Sequence, residues 1–156
     1  MNLWLKIIIC VVAIQLTGAL SGLLGAGSIG TWFADLTKPA GNPPNWIFGP
    51  VWTVLYGLMG LALARVWHSP PETPGRRAAI ITFLIQMALN LAWTPVFFGA
   101  HRIDLALITI VALLAAIAAT IVLFRKVDRP AAFLLVPYLL WVSYATYLNT
   151  SFLILN

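Results

Sequence analysis

Charge-free apolar stretches recur five times along this chain, separated by short polar connections: Ile7 to Leu24, Trp46 to Ala64, Ala78 to Phe98, Leu105 to Phe124 and Ala131 to Leu155. Each approaches the ~20 residues that, at ~1.5 Å rise per residue, carry a helix across ~30 Å of hydrocarbon. Strands of a membrane barrel would alternate in segments of ~10 residues, and a run such as IVALLAAIAATIVLF does not alternate. The connections hold the breakers KPAGNPP, SPPETPG, GAHRID and KVDRP. The pattern predicts an all-α membrane protein, a five-transmembrane-helix bundle forming one domain over 1–156. Its helices fall near 3–25, 45–67, 77–99, 104–125 and 130–154, and its first loop is long, at 26–44.

Composition agrees: 62% of the side chains are hydrophobic and only 8% charged, and the mean hydropathy is +0.96. That leaves too little polar surface to cover a soluble globule. The net charge of +5 comes from nine Lys and Arg scattered between apolar blocks, with no basic stripe, which argues against nucleic acid as a partner. The basic residues report topology instead. Across five crossings, Lys6, Arg65, Arg76, Arg77, Arg125, Lys126 and Arg129 fall on one side, and only Lys38 and Arg102 on the other. The rich side is expected in the cytoplasm together with the N-terminus, the first loop and the C-terminus lying opposite. A bacterial inner membrane is the default for a helical protein, and the outer membrane stays open. The start MNLWLK, followed by an apolar run and TGALSG, imitates a signal peptide. Lys6 is a weak basic region, and Gly18-x-x-x-Gly22 has the spacing of a packed helix, so a retained first helix is expected.

Ionisable chemistry is sparse. Asp35, Glu72, Asp104, Asp128, His68 and His101 all lie at or beyond helix ends, with no metal-ligand spacing, and no nucleophile has an adjacent base. Cys10 is the only cysteine, which excludes an intrachain disulfide. Pumps and ion-coupled transporters usually carry a buried charge, and none is seen here. What lies inside is neutral and polar. Gln86, Asn90 and Trp93 share one face of the third helix; Tyr138, Trp141, Ala145 and Asn149 share one of the fifth; Trp52 and Tyr56 share one of the second. At ~1.5 Å per residue, Trp52, Asn90 and Trp93 sit ~8 to 12 Å below the far-side helix ends and Trp141 ~18 Å below. Trp4, Trp46 and Trp67 suit an aromatic belt at the membrane surface. Amides also link helices and aromatic rings also pack, so packing stands as the alternative for the deeper set. Three features favour a pocket: rings below the belt, accompanying carboxamides, and a stiff proline-rich loop above. Such a pocket suits a flat, amphipathic, mostly apolar guest. Pro50, Pro95 and Pro137 could kink the helices around it.

The order Trp32-Phe33-x-x-Leu36-x-Lys38-Pro39, then Pro43-Pro44, Phe48, Val51-Trp52, Leu55-Tyr56 and Met59-Gly60 resembles the TspO/MBR family, the tryptophan-rich sensory proteins and translocator proteins. QMALNLAWTPVFF and VPYLLWVSYATYLN add two further matching blocks, so the resemblance covers nearly the whole chain. It implies a five-helix bundle, usually a homodimer, that binds tetrapyrroles such as protoporphyrin IX and, in many members, isoquinoline- or benzodiazepine-type ligands and sterols. No cofactor is required; the porphyrin is a ligand. By motif match the binding residues would be Trp52, Asn90, Trp93, Tyr138, Trp141, Ala145 and Leu148, with Phe33 and Pro43 supplied by the loop as a lid. Prolines in that loop lower the entropy lost on closure, and Asp35 with Lys38 could fix it at the surface. Some members promote light-dependent porphyrin breakdown, for which Trp52 and Trp141 would be the redox candidates. Phe33 stands where members usually carry Tyr, and Gly41 where an aromatic usually precedes x-Pro-Pro, which implies a looser lid. The C-terminal sterol pattern of animal members needs a Lys or Arg after a Tyr. No basic residue follows Arg129, which argues against cholesterol binding.

Overall fold

The computed structural model describes all 156 residues. Asn2 starts the first helix, α1 (Leu3–Leu23), its side chain accepting a hydrogen bond from the Leu5 amide at 2.9 Å. The longer helices that follow are α3 (Asn45–His68), α4 (Arg76–Thr94), α5 (Ile103–Val127) and α7 (Val136–Leu155), with short α2 (Ala26–Ile29) and α6 (Arg129–Leu134) between them. α3 begins directly after Pro43-Pro44, where Pro44 is held extended and supplies the fixed turn into the helix. Five segments are long and apolar enough to cross a membrane: Leu3–Leu23, Asn45–His68, Arg76–Gly99, Ile103–Val127 and Arg129–Leu155. The chain is therefore a multi-pass membrane protein, and each segment end lies within two residues of its expected place.

Three departures concern the ends and the loop. The first loop is partly helical, with α2 and a 3-10 turn at Phe33–Asp35, because Ser28 Oγ donates to the Phe98 carbonyl at 2.7 Å and ties the segment to the end of the third span. The third span closes in a π-helical turn, Pro95–Gly99, where the Ala100 amide reaches back to the Pro95 carbonyl at 2.8 Å. The fifth span is broken at Leu135: α6 stops there and α7 restarts with Pro137 in its first turn, where the missing amide costs nothing. The expected Asp35–Lys38 pair does not form. Lys38 Nζ instead donates to the carbonyls of Phe33, Ala34 and Leu36, at 2.5, 3.3 and 2.9 Å, and sits 4.6 Å above the Phe33 ring. A backbone turn with several unpaired carbonyls binds an ammonium more strongly than one exposed carboxylate would.

α1 lies against α3 at two close approaches. A Cβ on Gly60 would come within 2.7 Å of Val11 Cα, and one on Gly18 would overlap the Tyr56 ring. Gly22, the partner of Gly18 in the expected spacing, meets nothing within 4 Å. The main core packs Met59, Phe83, Ile117, Phe124 and Leu135, all fully buried, with Phe83 stacked on Phe124 at 5.8 Å. The basic residues gather at one end of the bundle. There Arg65 forks onto Asp128 at 2.7 and 3.2 Å, Asp128 caps α6 through the Ala131 amide, Arg76 donates to the Trp67 carbonyl, and Lys6 lies over the Trp67 ring. At the opposite end a second cluster joins Phe33, Phe97, Ala106 and Phe152. The space between the two clusters is not filled.

Candidate functional site

That space is a cavity of about 480 Å³ bounded by α1, α3, α4 and α7, with Ile110 and Leu113 of α5 behind it and Phe33 and Asn42 of the loop at its wall. Its size falls within the range of small-molecule sites. α3 supplies Phe48, Trp52 and Tyr56; α4 and its π turn supply Asn90, Trp93 and Phe97; α7 supplies Trp141, Ala145 and Leu148. Four-residue steps set these ladders: 48, 52 and 56 on α3, and 141 and 145 on α7, lie one above another on the inward face. No Asp, Glu, Lys, Arg or His lines the cavity, and no cluster of His, Cys or acidic residues able to hold a metal exists in the chain.

Polar groups at the wall are already fixed in place. Tyr56 Oη donates to Asn90 Oδ1 at 2.8 Å, Asn90 Nδ2 donates to Tyr138 Oη at 2.8 Å, and Tyr138 Oη donates to Gln86 Oε1 at 2.6 Å. The chain of bonds runs from the cavity surface into the core and joins α3, α4 and α7. It ends on Gln86 Nε2, a buried donor with no partner. Trp93 is held separately: its Nε1 donates to Asn149 Oδ1 at 2.9 Å, and Asn149 Nδ2 donates to the Ile103 carbonyl. Trp52 lies 5.2 Å from the Tyr56 ring and Trp141 packs edge-on to Phe48 at 6.0 Å. Such a surface can stack against a planar guest and orient it through amides and hydroxyls. It offers no acid, base or Lewis acid of its own.

The loop above is held down by α7. Tyr144 Oη donates to the Gly41 carbonyl, and Tyr147 Oη to the Ala40 carbonyl at 2.9 Å. Asn156 pairs with the Thr37 backbone in both directions, at 2.9 and 3.2 Å. Phe33 is inserted among Phe97, Phe98 and Phe152 at ring separations of 6.3, 5.3 and 5.4 Å, and Trp32 stacks on His101 at 4.3 Å. Phe33 is thus buried in an apolar cluster, and with Gly41 and Ala40 tied to α7 the loop is fastened down, unlike the looser lid its sequence implied.

Of the nine residues singled out in the sequence, Phe33, Trp52, Asn90, Trp93, Trp141, Ala145 and Leu148 line the cavity, whereas Tyr138 and Pro43 do not. Tyr138 is fully buried behind the wall, edge-on to Trp52 at 6.2 Å, and Pro43 belongs to the rigid entry into α3. Sequence reasoning missed Gln15, Phe48, Phe97, Phe98 and Phe152 as wall residues. Two of these carried a usable signal: Gln15 is a lone amide inside an apolar run, and Phe152 extends the stripe of Trp141, Ala145 and Leu148 by one more turn. Of the three tryptophans expected at the membrane surface, Trp4 and Trp46 are exposed at 75% and 73%, whereas Trp67 is half-buried beneath Lys6.

The model of the TspO/MBR family matches residues 8–155 of this chain. A tryptophan-rich protein TspO from Chlorobaculum tepidum is 44% identical over 125 residues, covering 80% of this chain and 79% of that one. A tryptophan-rich protein TspO from Archaeoglobus fulgidus is 38% identical over 152 residues, covering 97% of each. A translocator protein from Homo sapiens is 43% identical over 122 residues, covering 76% of this chain and 70% of that one.

Proposed function

This chain belongs to the TspO/MBR family, and on that premise we propose that it binds tetrapyrroles, protoporphyrin IX above all, in the cavity beneath the first loop. It thereby senses, sequesters or moves them. The observation that carries this reading is the convergence of Trp52, Trp93 and Trp141 from three helices on one uncharged space, with Asn90 and Tyr56 beside them. Indole faces stack on an extended planar macrocycle, and apolar walls favour it over water by roughly 25 cal/mol per Å² removed from solvent. Flat isoquinoline- or benzodiazepine-type ligands fit the same description. The N-terminus faces the cytoplasm of a bacterial inner membrane by charge bias. A homodimer belongs to the same reading. Gly18 is used inside one protomer, whereas Ala112, Ala115 and Ala119 of α5 are exposed and free for such a contact.

The test is a titration of the purified protein with protoporphyrin IX, following tryptophan fluorescence, against an Ala145→Phe variant whose ring projects into the cavity. Saturable quenching in the wild type that is lost in the variant supports the site; equal affinity in both removes it. A second reading draws on Trp52 and Trp141 lining the same space: under light, a bound porphyrin is degraded by electron donation from these indoles. Product exceeding one equivalent under illumination with excess porphyrin supports turnover, and a stop at one equivalent reduces it to photodamage.

A further inference from the structure

Every seam around the cavity is stitched except one. α1 and α4 are joined beside it by Ser21 Oγ donating to the Leu91 carbonyl at 2.8 Å and by Gly25, where a Cβ would come within 2.9 Å of Thr94. α4 and α7 are joined by the Trp93–Asn149 bond and the Phe97–Phe152 contact at 5.9 Å. α3 and α7 meet at Phe48 and Trp141, and the loop is pinned to α7. Between α1 and α3 the ties all lie low: Val11 against Gly60, Gly18 against Tyr56, and Gln15 Nε2 donating to the Thr53 carbonyl at 2.8 Å. Above Gly18, up to the end of α1 at Leu23, there remains roughly 8 Å of helix with no further tie to α3.

Exposure marks the same place. The wall residues that are exposed are Ala19 and Gly22 of α1, Asn45, Gly49 and Thr53 of α3, which flank this one seam, and Ile29 of the short α2. Gly22 and Gly49 both line the cavity, and a Cβ on either would meet nothing within 4 Å. Gly49 has a local reason to lack a side chain, since it precedes Pro50 inside a helix. Gly22 has no such reason: its backbone is helical and no neighbour approaches it.

We infer that the upper α1–α3 seam is a lateral portal, opening the cavity to one leaflet of the bilayer, and that its ligands are lipophilic molecules delivered from the membrane and not from water through the loop. This rests on the ligand-binding reading above. Gly22 and Ala19 keep the slot wide enough for a flat ring system to pass edge-on, while the loop, held by α7 and plugged by Phe33, stays shut.

The experiment measures tryptophan quenching by protoporphyrin IX in stopped flow, with the protein in lipid nanodiscs. Gly22→Leu is expected to slow association and dissociation together, by on the order of tenfold, so that both rates move far more than Kd, because a gate alters both rates and a contact mainly the off-rate. Ala19→Leu, a second obstruction from the same helix, behaves alike. The triple variant Tyr144→Phe, Tyr147→Phe, Asn156→Ala, which removes the side-chain ties of the loop to α7, leaves both rates at the wild-type value. Wild-type rates in both leucine variants overturn the portal, as does faster binding in the triple variant. A weaker Kd in Gly22→Leu with an unchanged on-rate also overturns it, by making residue 22 a contact. Absence of saturable quenching in the wild type strikes the binding reading itself and the portal with it.

Discussion

Replacing Tyr138 by Phe removes one oxygen from the centre of the bundle and leaves its shape unchanged, so no cavity term enters. Two hydrogen bonds go with it: the one accepted from Asn90 Nδ2 at 2.8 Å and the one donated to Gln86 Oε1 at 2.6 Å. Asn90 keeps Tyr56 on its Oδ1 but its Nδ2 is left unpaired, and Gln86, whose Nε2 is already unpaired, loses its last partner. Hydrogen bonds between membrane helices contribute ~0.6 kcal/mol on average and up to ~1.7, and a buried group left unsatisfied costs ~1 to 3. The expected loss is about 1 to 3 kcal/mol, read by far-UV circular dichroism during unfolding of the micelle-embedded protein with SDS. Adding Gln86→Leu to Tyr138→Phe should recover the share that comes from Gln86, since removing both partners of a buried bond is nearly neutral, and leave the share that comes from Asn90 Nδ2. Because Tyr138 stands behind the wall, the Kd for protoporphyrin IX should change less than about threefold. A neutral Tyr138→Phe would refute the polar chain, and a large loss of affinity at unchanged stability would return Tyr138 to the ligand surface.

Gly60→Ala places a Cβ 2.7 Å from Val11 Cα and 2.8 Å from its amide nitrogen, and backbone cannot yield as a side chain can. Unfolding in SDS should show a loss of about 1 to 3 kcal/mol. Asp128→Ala removes the Arg65 fork and the cap of α6 together; a loss of about 1 to 2 kcal/mol is expected, smaller in high salt. Lys38→Met leaves the carbonyls of Phe33, Ala34 and Leu36 without their shared donor. Amide exchange across residues 33–41 should rise by on the order of tenfold while the helices stay protected.

Membrane spans were legible because each is a long apolar run ending at proline, glycine or charge, and the solvent leaves the backbone no alternative to a helix. Ladders such as Trp52–Tyr56 and Trp141–Ala145 were legible for the same reason: once a segment is helical, spacing assigns a face. Two kinds of feature were not. The π turn at Pro95–Gly99 leaves no mark on the apolar pattern, and Phe97 and Phe98 reach the cavity at steps of four from Trp93 and Thr94 that an α-helix would also give. The loop's fastening depends on Tyr144, Tyr147 and Asn156, which lie more than a hundred residues away in sequence. A hydroxyl on an exposed helix face looks the same whether it meets water or a distant carbonyl. Tyr138 failed differently: its face was right, but its depth behind Trp52 depends on how closely α3 and α7 approach, which no periodicity encodes.

The most direct test is an experimental structure of the protein saturated with protoporphyrin IX. The account predicts planar density between α1, α3, α4 and α7, stacked on Trp52 or Trp141 beneath Phe33. Density on the outer, lipid-facing surface, with the interior unchanged, would contradict it.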